Sequence, residues 1–177
     1  MTKLPDNDKL MRYYREGISD KQIAETYDVT VQAVNNRYKK MGIEKKPWSN
    51  TATAIVDAAW PAAELGRSRF THLNRARELY SFIRWRLGDD TLTERQLSRV
   101  RHFAQYSQEN EVVLTLDPES ETPWIWVPRT ADDGRLVMRW PEGRELPVGP
   151  HLEAISLPPA AEWQKLPTGK PELPTGK

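Results

Sequence analysis

The tightest constraint in this chain is a pair of short helical segments, residues 19–27 and 30–41, separated by only Asp28 and Val29. Ser19 stands three residues before Gln22, the spacing at which a hydroxyl and an amide side chain each satisfy the other's backbone N–H and open a helix. Thr30 is a second N-cap, and Gly42 follows Met41 where the next helix should stop. Helices joined by so short a turn must cross closely, so a small residue is needed at the crossing, and Ala24 supplies it. Ile23, Tyr27, Val29, Val34, Tyr38 and Met41 recur at helical spacing and should close the core. A further helix over residues 8–16, after Pro5 and Asp6, brings Leu10, Met11 and Tyr14 on one face, with Gly17 as its stop. Asp28 occupies the turn position where glycine is usual, and aspartate tolerates left-handed backbone better than most residues.

That core leaves Val31, Gln32, Asn35, Asn36 and Lys39 on the outward face of the third helix. Asparagine and glutamine amides make paired hydrogen bonds to adenine in a major groove. Thr30 and the first-turn amides would face a phosphate or base edge. Lys21 near the start of the second helix, with Lys40, Lys45 and Lys46, are candidates for phosphates, and Gln22 is a further DNA-binding candidate. The expectation is a helix-turn-helix domain over residues 1–43 that binds double-stranded DNA. The alternative is a trihelical protein-interaction module whose Asn35 and Asn36 are simply solvated.

The net charge of +1 hides a pattern that bears on the partner. Residues 1–50 carry +3, 51–66 carry −2, 67–103 carry +5 and 109–177 carry −5. A polyanion would therefore meet the first two-thirds of the chain. The second basic block opens RSRFTHLNRAR at residues 67–77. Arg67, Ser68 and Arg69 precede a helix, expected over residues 71–87, that presents Thr71, Asn74 and Arg75 outward. Arginine with interleaved Ser, Thr and Asn suits phosphate and guanine recognition. Arg99 and Arg101 on the following helix, opened by Thr93 and Gln96, would add backbone contacts. The alternative is a solvated face whose arginines pair with Glu78, Asp89, Asp90 and the acidic C-terminal third.

The rest of the chain sets the fold class at α+β. Residues 44–66 read as a linker, partly helical, with Ile55, Val56 and Ala59 inward and Pro61 breaking or restarting the helix. Residues 67–157 read as a second domain of helices plus a small antiparallel sheet, with strands at 111–116, 124–127 and 136–140 and a fourth near 152–157. Residues 158–177 are proline-rich, repeat LPTGK, and read as a disordered tail.

Several classes are disfavoured. No apolar run is long enough to span a membrane, and residues 1–9 do not resemble a signal peptide. Cysteine is absent, and His72, His102 and His151 are too far apart in sequence to suggest a metal site. No phosphate-binding loop, dinucleotide fingerprint, nucleophile elbow or paired-carboxylate arrangement is visible, so neither a cofactor, a small-molecule ligand nor catalysis is expected. Trp124, Trp126 and Trp140 read as core or sheet residues.

The segment ISDKQIAETYDVTVQAVNNRYKKMGI, the Trp48-containing linker and the central RSRFTHLNRARELYSFIRWRLG together resemble the immunity repressors of temperate mycobacteriophages. The likeness covers the chain to about residue 157. It implies a monomer in the cytoplasm of a bacterial host that maintains lysogeny and superinfection immunity. It also implies an N-terminal helix-turn-helix and a second, C-terminal DNA-binding domain reading asymmetric operator and stoperator sites. Two unlike readers on one face of a duplex would occupy adjacent major grooves about 34 Å apart. A second class of function is a dimeric helix-turn-helix regulator with a ligand-binding or dimerisation C-terminal domain. A third, an enzyme acting on DNA, needs a carboxylate cluster that residues 109–177 do not display.

Overall fold

The computed structural model describes residues 3–16, 18–43 and 48–169, apart from the side chain of Ser68. The stop expected at Gly17, the phosphate contacts expected of Lys45 and Lys46, and the second LPTGK repeat lie outside the described residues. The chain divides into two compact units, Met1–Pro47 and Trp48–Lys177. Among the described residues the architecture is α+β, with nine α-helices and one two-stranded antiparallel sheet. None of these helices is long and apolar enough to cross a membrane.

The first unit contains α1 (Asn7–Arg15), α2 (Asp20–Tyr27) and α3 (Val31–Lys40). Each is opened by a side-chain cap. Asp6 accepts from the Lys9 N–H, Ser19 and Gln22 form the reciprocal box, and Thr30 accepts from the Ala33 N–H. Such caps contribute about 1 kcal/mol each. Asp28 ends α2 at φ 51°, and Val29 donates its N–H to the Ala24 carbonyl at 3.0 Å. Leu10, Ile23, Ala24, Val34 and Tyr38 are buried together. The Tyr38 hydroxyl donates to the Leu10 carbonyl at 3.0 Å, which ties α3 to α1. Burial pushes its pKa up to about 12, so it stays a donor at any ordinary pH.

The second unit opens with α4 (Trp48–Ala59) and α5 (Ala62–Leu65), followed by a 3-10 turn over Arg67–Phe70 and α6 (Asn74–Arg86). After these come α7 (Glu94–Glu109), strands β1 (Val112–Leu116) and β2 (Trp124–Pro128), and short helices α8 (Pro150–Ala154) and α9 (Ala160–Gln164). α6 and α7 pack against each other through Leu79, Phe82, Ile83, Val100, Phe103 and Ala104. α4 lies on α6 and adds Ala52, Ile55, Val56 and Ala59 to the same core. The sheet pairs Leu114 with Trp126 and Leu116 with Trp124. Trp124 reaches back to meet Trp60 edge-on at 5.6 Å.

Four expectations need correction. The segment read as a linker is partly core: Trp48–Ala59 is a helix whose apolar stripe is enclosed, since the small buried residues Ala52 and Ala59 let it approach α6 closely. The helix expected from residue 71 starts at Asn74, because Gly66 at φ 60° redirects the chain and residues 67–70 form a 3-10 turn instead. Residues 136–140 and 152–157 are not strands. Residues 137–139 dock on the free edge of β1 by two backbone bonds, Leu114 N–H to Val137 and Arg139 N–H to Leu114. Pro141, lacking an N–H, cannot extend that ladder. Gly149 and Pro150 start α8, and only Ser156 bridges back to Leu136. The tail is ordered further than composition suggests. Trp163 of α9 is 3% exposed in the core, and Arg101 donates to the carbonyls of Gln164 and Leu166.

Candidate nucleic-acid interface

On α3 the apolar stripe Val34–Tyr38 turns inward and fixes what the other faces display. Val31 is 42% exposed, Gln32, Asn36, Lys39 and Lys40 are exposed, and Asn35 is half-buried. Gln32 donates its amide to the Asn36 carbonyl oxygen at 3.0 Å, one helical turn on. The pair leaves the Gln32 oxygen and the Asn36 amide adjacent, an acceptor beside a donor. Thr30 is exposed, but its hydroxyl oxygen is occupied by the Ala33 N–H. Lys21 is exposed on α2. Gln22 is exposed too, yet its carbonyl oxygen is taken by the Ser19 N–H and hydroxyl, both at 3.1 Å, so only its amide nitrogen points to solvent. Arg37 donates to Asn7 at 3.1 Å and fixes the end of α3 to the start of α1.

The second basic block behaves differently. Arg67, expected at the surface, is 3% exposed. Its guanidinium donates to the Trp60 carbonyl at 2.8 Å, the Tyr80 hydroxyl at 2.5 Å and Asp57 at 2.9 Å. A planar fork with five donors is suited to holding three acceptors inside a fold, and here it pins α4, the 3-10 turn and α6 together. Asp57 also accepts from the Ala62 N–H, and that bond together with Arg67 holds its carboxyl below the ordinary range. Arg75 is half-buried and donates to the Trp124 carbonyl at 2.6 Å. Arg67 is a structural clamp with no surface to offer DNA, and Arg75 spends one of its nitrogens on the Trp124 carbonyl. Arg101 is likewise engaged with the C-terminal segment. Arg69 and Asn74 remain exposed and Thr71 is half-buried; Arg69 lies over the Phe70 ring at 5.2 Å. Ser68 sits in the 3-10 turn.

A different basic surface comes together instead. Arg77, Tyr80 and Arg84 on α6, with Gln96 and Arg99 on α7, line a cavity of about 710 Å³. The spacing 77, 80, 84 is one face of a helix, and 96, 99 is the adjacent face of another, so the signal is present in the sequence. It is masked by the denser RSRF run, whose leading arginine faces inward. Among the described residues no group of three or more His, Asp or Glu is placed to hold a metal.

Compared with known proteins, the chain matches no family model and no curated relative.

Proposed function

We propose that the chain is a sequence-specific, double-stranded-DNA-binding transcriptional repressor of the phage-immunity kind, in which α2 and α3 act as a helix-turn-helix. The observation that carries this is the outward face of α3. It offers an exposed glutamine–asparagine pair, a partly exposed apolar residue and two lysines on a helix anchored from behind by Val34 and Tyr38. Amides of this kind read the adenine edge, Val31 suits a thymine methyl, and Lys21, Lys39 and Lys40 meet phosphates on either side. The second unit then contributes backbone contacts through Arg69 and Asn74, so the site is asymmetric and one chain suffices. Joining the two units on one chain raises the effective concentration of the second contact to about the millimolar range once the first has formed.

Selection from random duplexes followed by footprinting tests this reading, because it reports site length and symmetry together. An asymmetric footprint longer than one helical turn is expected, occupied by one chain in sedimentation. Asn36→Ala should relax the preference at one or two base pairs and cost about 1–3 kcal/mol. A palindromic footprint held by two chains would replace this reading with the dimeric regulator.

A further inference from the structure

We propose that the cavity between α6 and α7 is an oxyanion site for a phosphate-bearing ligand, gripped by Arg77 and Arg99. This goes beyond the helix-turn-helix reading and does not depend on it.

Charge inside a concave site is what singles this cavity out. Four arginines line it, but two are already neutralised within the fold. Arg67 holds Asp57 at 2.9 Å and Arg84 holds the buried Asp89 at 2.7 Å. Among the described residues the side chains of Arg77 and Arg99 make no hydrogen bond or ion pair, and no carboxylate lines the cavity. The site therefore presents two guanidinium groups held in no ion pair, one from each helix. Tyr80 and Gln96 stand beside them as neutral hydrogen-bonding groups. Charge of this sign and number matches a phosphate dianion or two adjacent phosphodiester groups, and the guanidinium fork matches phosphate oxygens in pairs. The volume lies within the usual range of small-molecule sites, about 300–1,000 Å³.

Glu78, which faces Arg75, Arg99 and His102, is the acid that could compete for Arg99. Burial pushes its carboxyl above the ordinary range, and it does not line the cavity. Two sources could supply the ligand chemistry: a free phosphorylated metabolite or the DNA backbone itself.

The test is calorimetric titration of the full chain with inorganic pyrophosphate at low ionic strength. One saturable site per chain is expected. Arg77→Gln and Arg99→Gln should each weaken it about tenfold or more, as expected for removal of a charged hydrogen bond. Arg95→Gln, on α7 but away from the cavity, should leave it unchanged, and thermal melts confirm that each variant is folded. A parallel arm titrates duplex DNA with and without pyrophosphate. If pyrophosphate displaces DNA from the wild type, and both cavity variants lower DNA affinity, the site takes backbone phosphates. If DNA binding is indifferent to both, the site serves a free ligand. Absence of saturable pyrophosphate binding, or equal binding by the wild type and a folded double variant, overturns the proposal. Pyrophosphate binding by a chain that binds no DNA would sink the repressor reading and leave this one standing.

Discussion

Replacing Arg67 by methionine separates a clamp from a contact. The side chain is 3% exposed and donates to three acceptors on two segments. Methionine keeps most of the stem's packing and removes the donors. The Trp60 carbonyl then loses a buried partner, which costs about 1–3 kcal/mol. Tyr80 borders the cavity and can turn its hydroxyl toward water, so its share lies at the low end of that range. The Asp57 side chain is 49% exposed and keeps the Ala62 N–H, so the usual cost of about 3–5 kcal/mol for breaking a buried ion pair does not apply in full. The sum is a destabilisation of about 2–4 kcal/mol. All seven tryptophans lie at or beyond residue 48, so fluorescence in a urea titration reports the second unit alone. The denaturation midpoint should fall with little change in slope. A variant within about 0.5 kcal/mol of wild type, the ordinary range for surface substitutions, would show that Arg67 holds nothing together. If that variant also bound DNA weakly, it would restore Arg67 as a surface contact.

Three further outcomes are expected. Lys39→Gln with Lys40→Gln should flatten the dependence of log affinity on log salt by about 0.9 for each phosphate no longer neutralised, with base preference retained; an unchanged slope would place both lysines off the DNA. Asp28→Gly relieves an αL conformation costing an L-residue about 1–2 kcal/mol, against a glycine entropy penalty of roughly 0.5–1 kcal/mol. The exposed Lys3 pair adds little, so circular dichroism melts should show the first unit slightly stabilised, and a clear drop would show the aspartate side chain organising the turn. Glu78→Gln addresses pH. A carboxyl raised by burial contributes stability that is full below its ordinary value of 4.5 and is lost as pH rises through the raised folded value. The glutamine variant should therefore outlast the wild type at neutral pH and lose that advantage in acid. Parallel pH profiles would refute the assignment.

The elements most legible in the sequence are those whose ends are written locally. Ser19 with Gln22, Thr30, and Thr93 with Gln96 each cap the expected helix, because a cap satisfies N–H groups within three residues and needs no distant partner. The stripe on α3 is legible for the same reason. Strand pairing is only half legible: residues 136–140 carry strand-like composition, but a strand is made by its neighbours, and this segment obtains only two isolated bridges, Met138 to β1 and Leu136 to Ser156. Trp163 is hidden by the prolines around it, since composition says what a segment cannot nucleate alone, not what it can dock against.

Arginine is the least legible residue, and this changes the electrostatic reading. Residues 67–103 carry nine arginines, a density that invites a polyanion. Yet Arg67, Arg75, Arg84, Arg86 and Arg101 each donate to a carbonyl or carboxylate of the second unit. Arg84 with Asp89, and Arg86 with Glu153 and Glu162, follow the alternative in which these arginines pair with nearby acids and the acidic C-terminal third, whereas the carbonyls that hold Arg75 and Arg101 are distant in sequence and announced by no local pattern. A lysine-rich block would be read correctly, because a compact ammonium prefers water, whereas a planar guanidinium can satisfy several buried carbonyls at once. The basic block is therefore mainly a set of internal clamps. Its contribution to binding should scale with Arg69, Arg77 and Arg99 rather than with nine charges. A salt dependence of DNA binding that required all nine would contradict the burial of Arg67 directly.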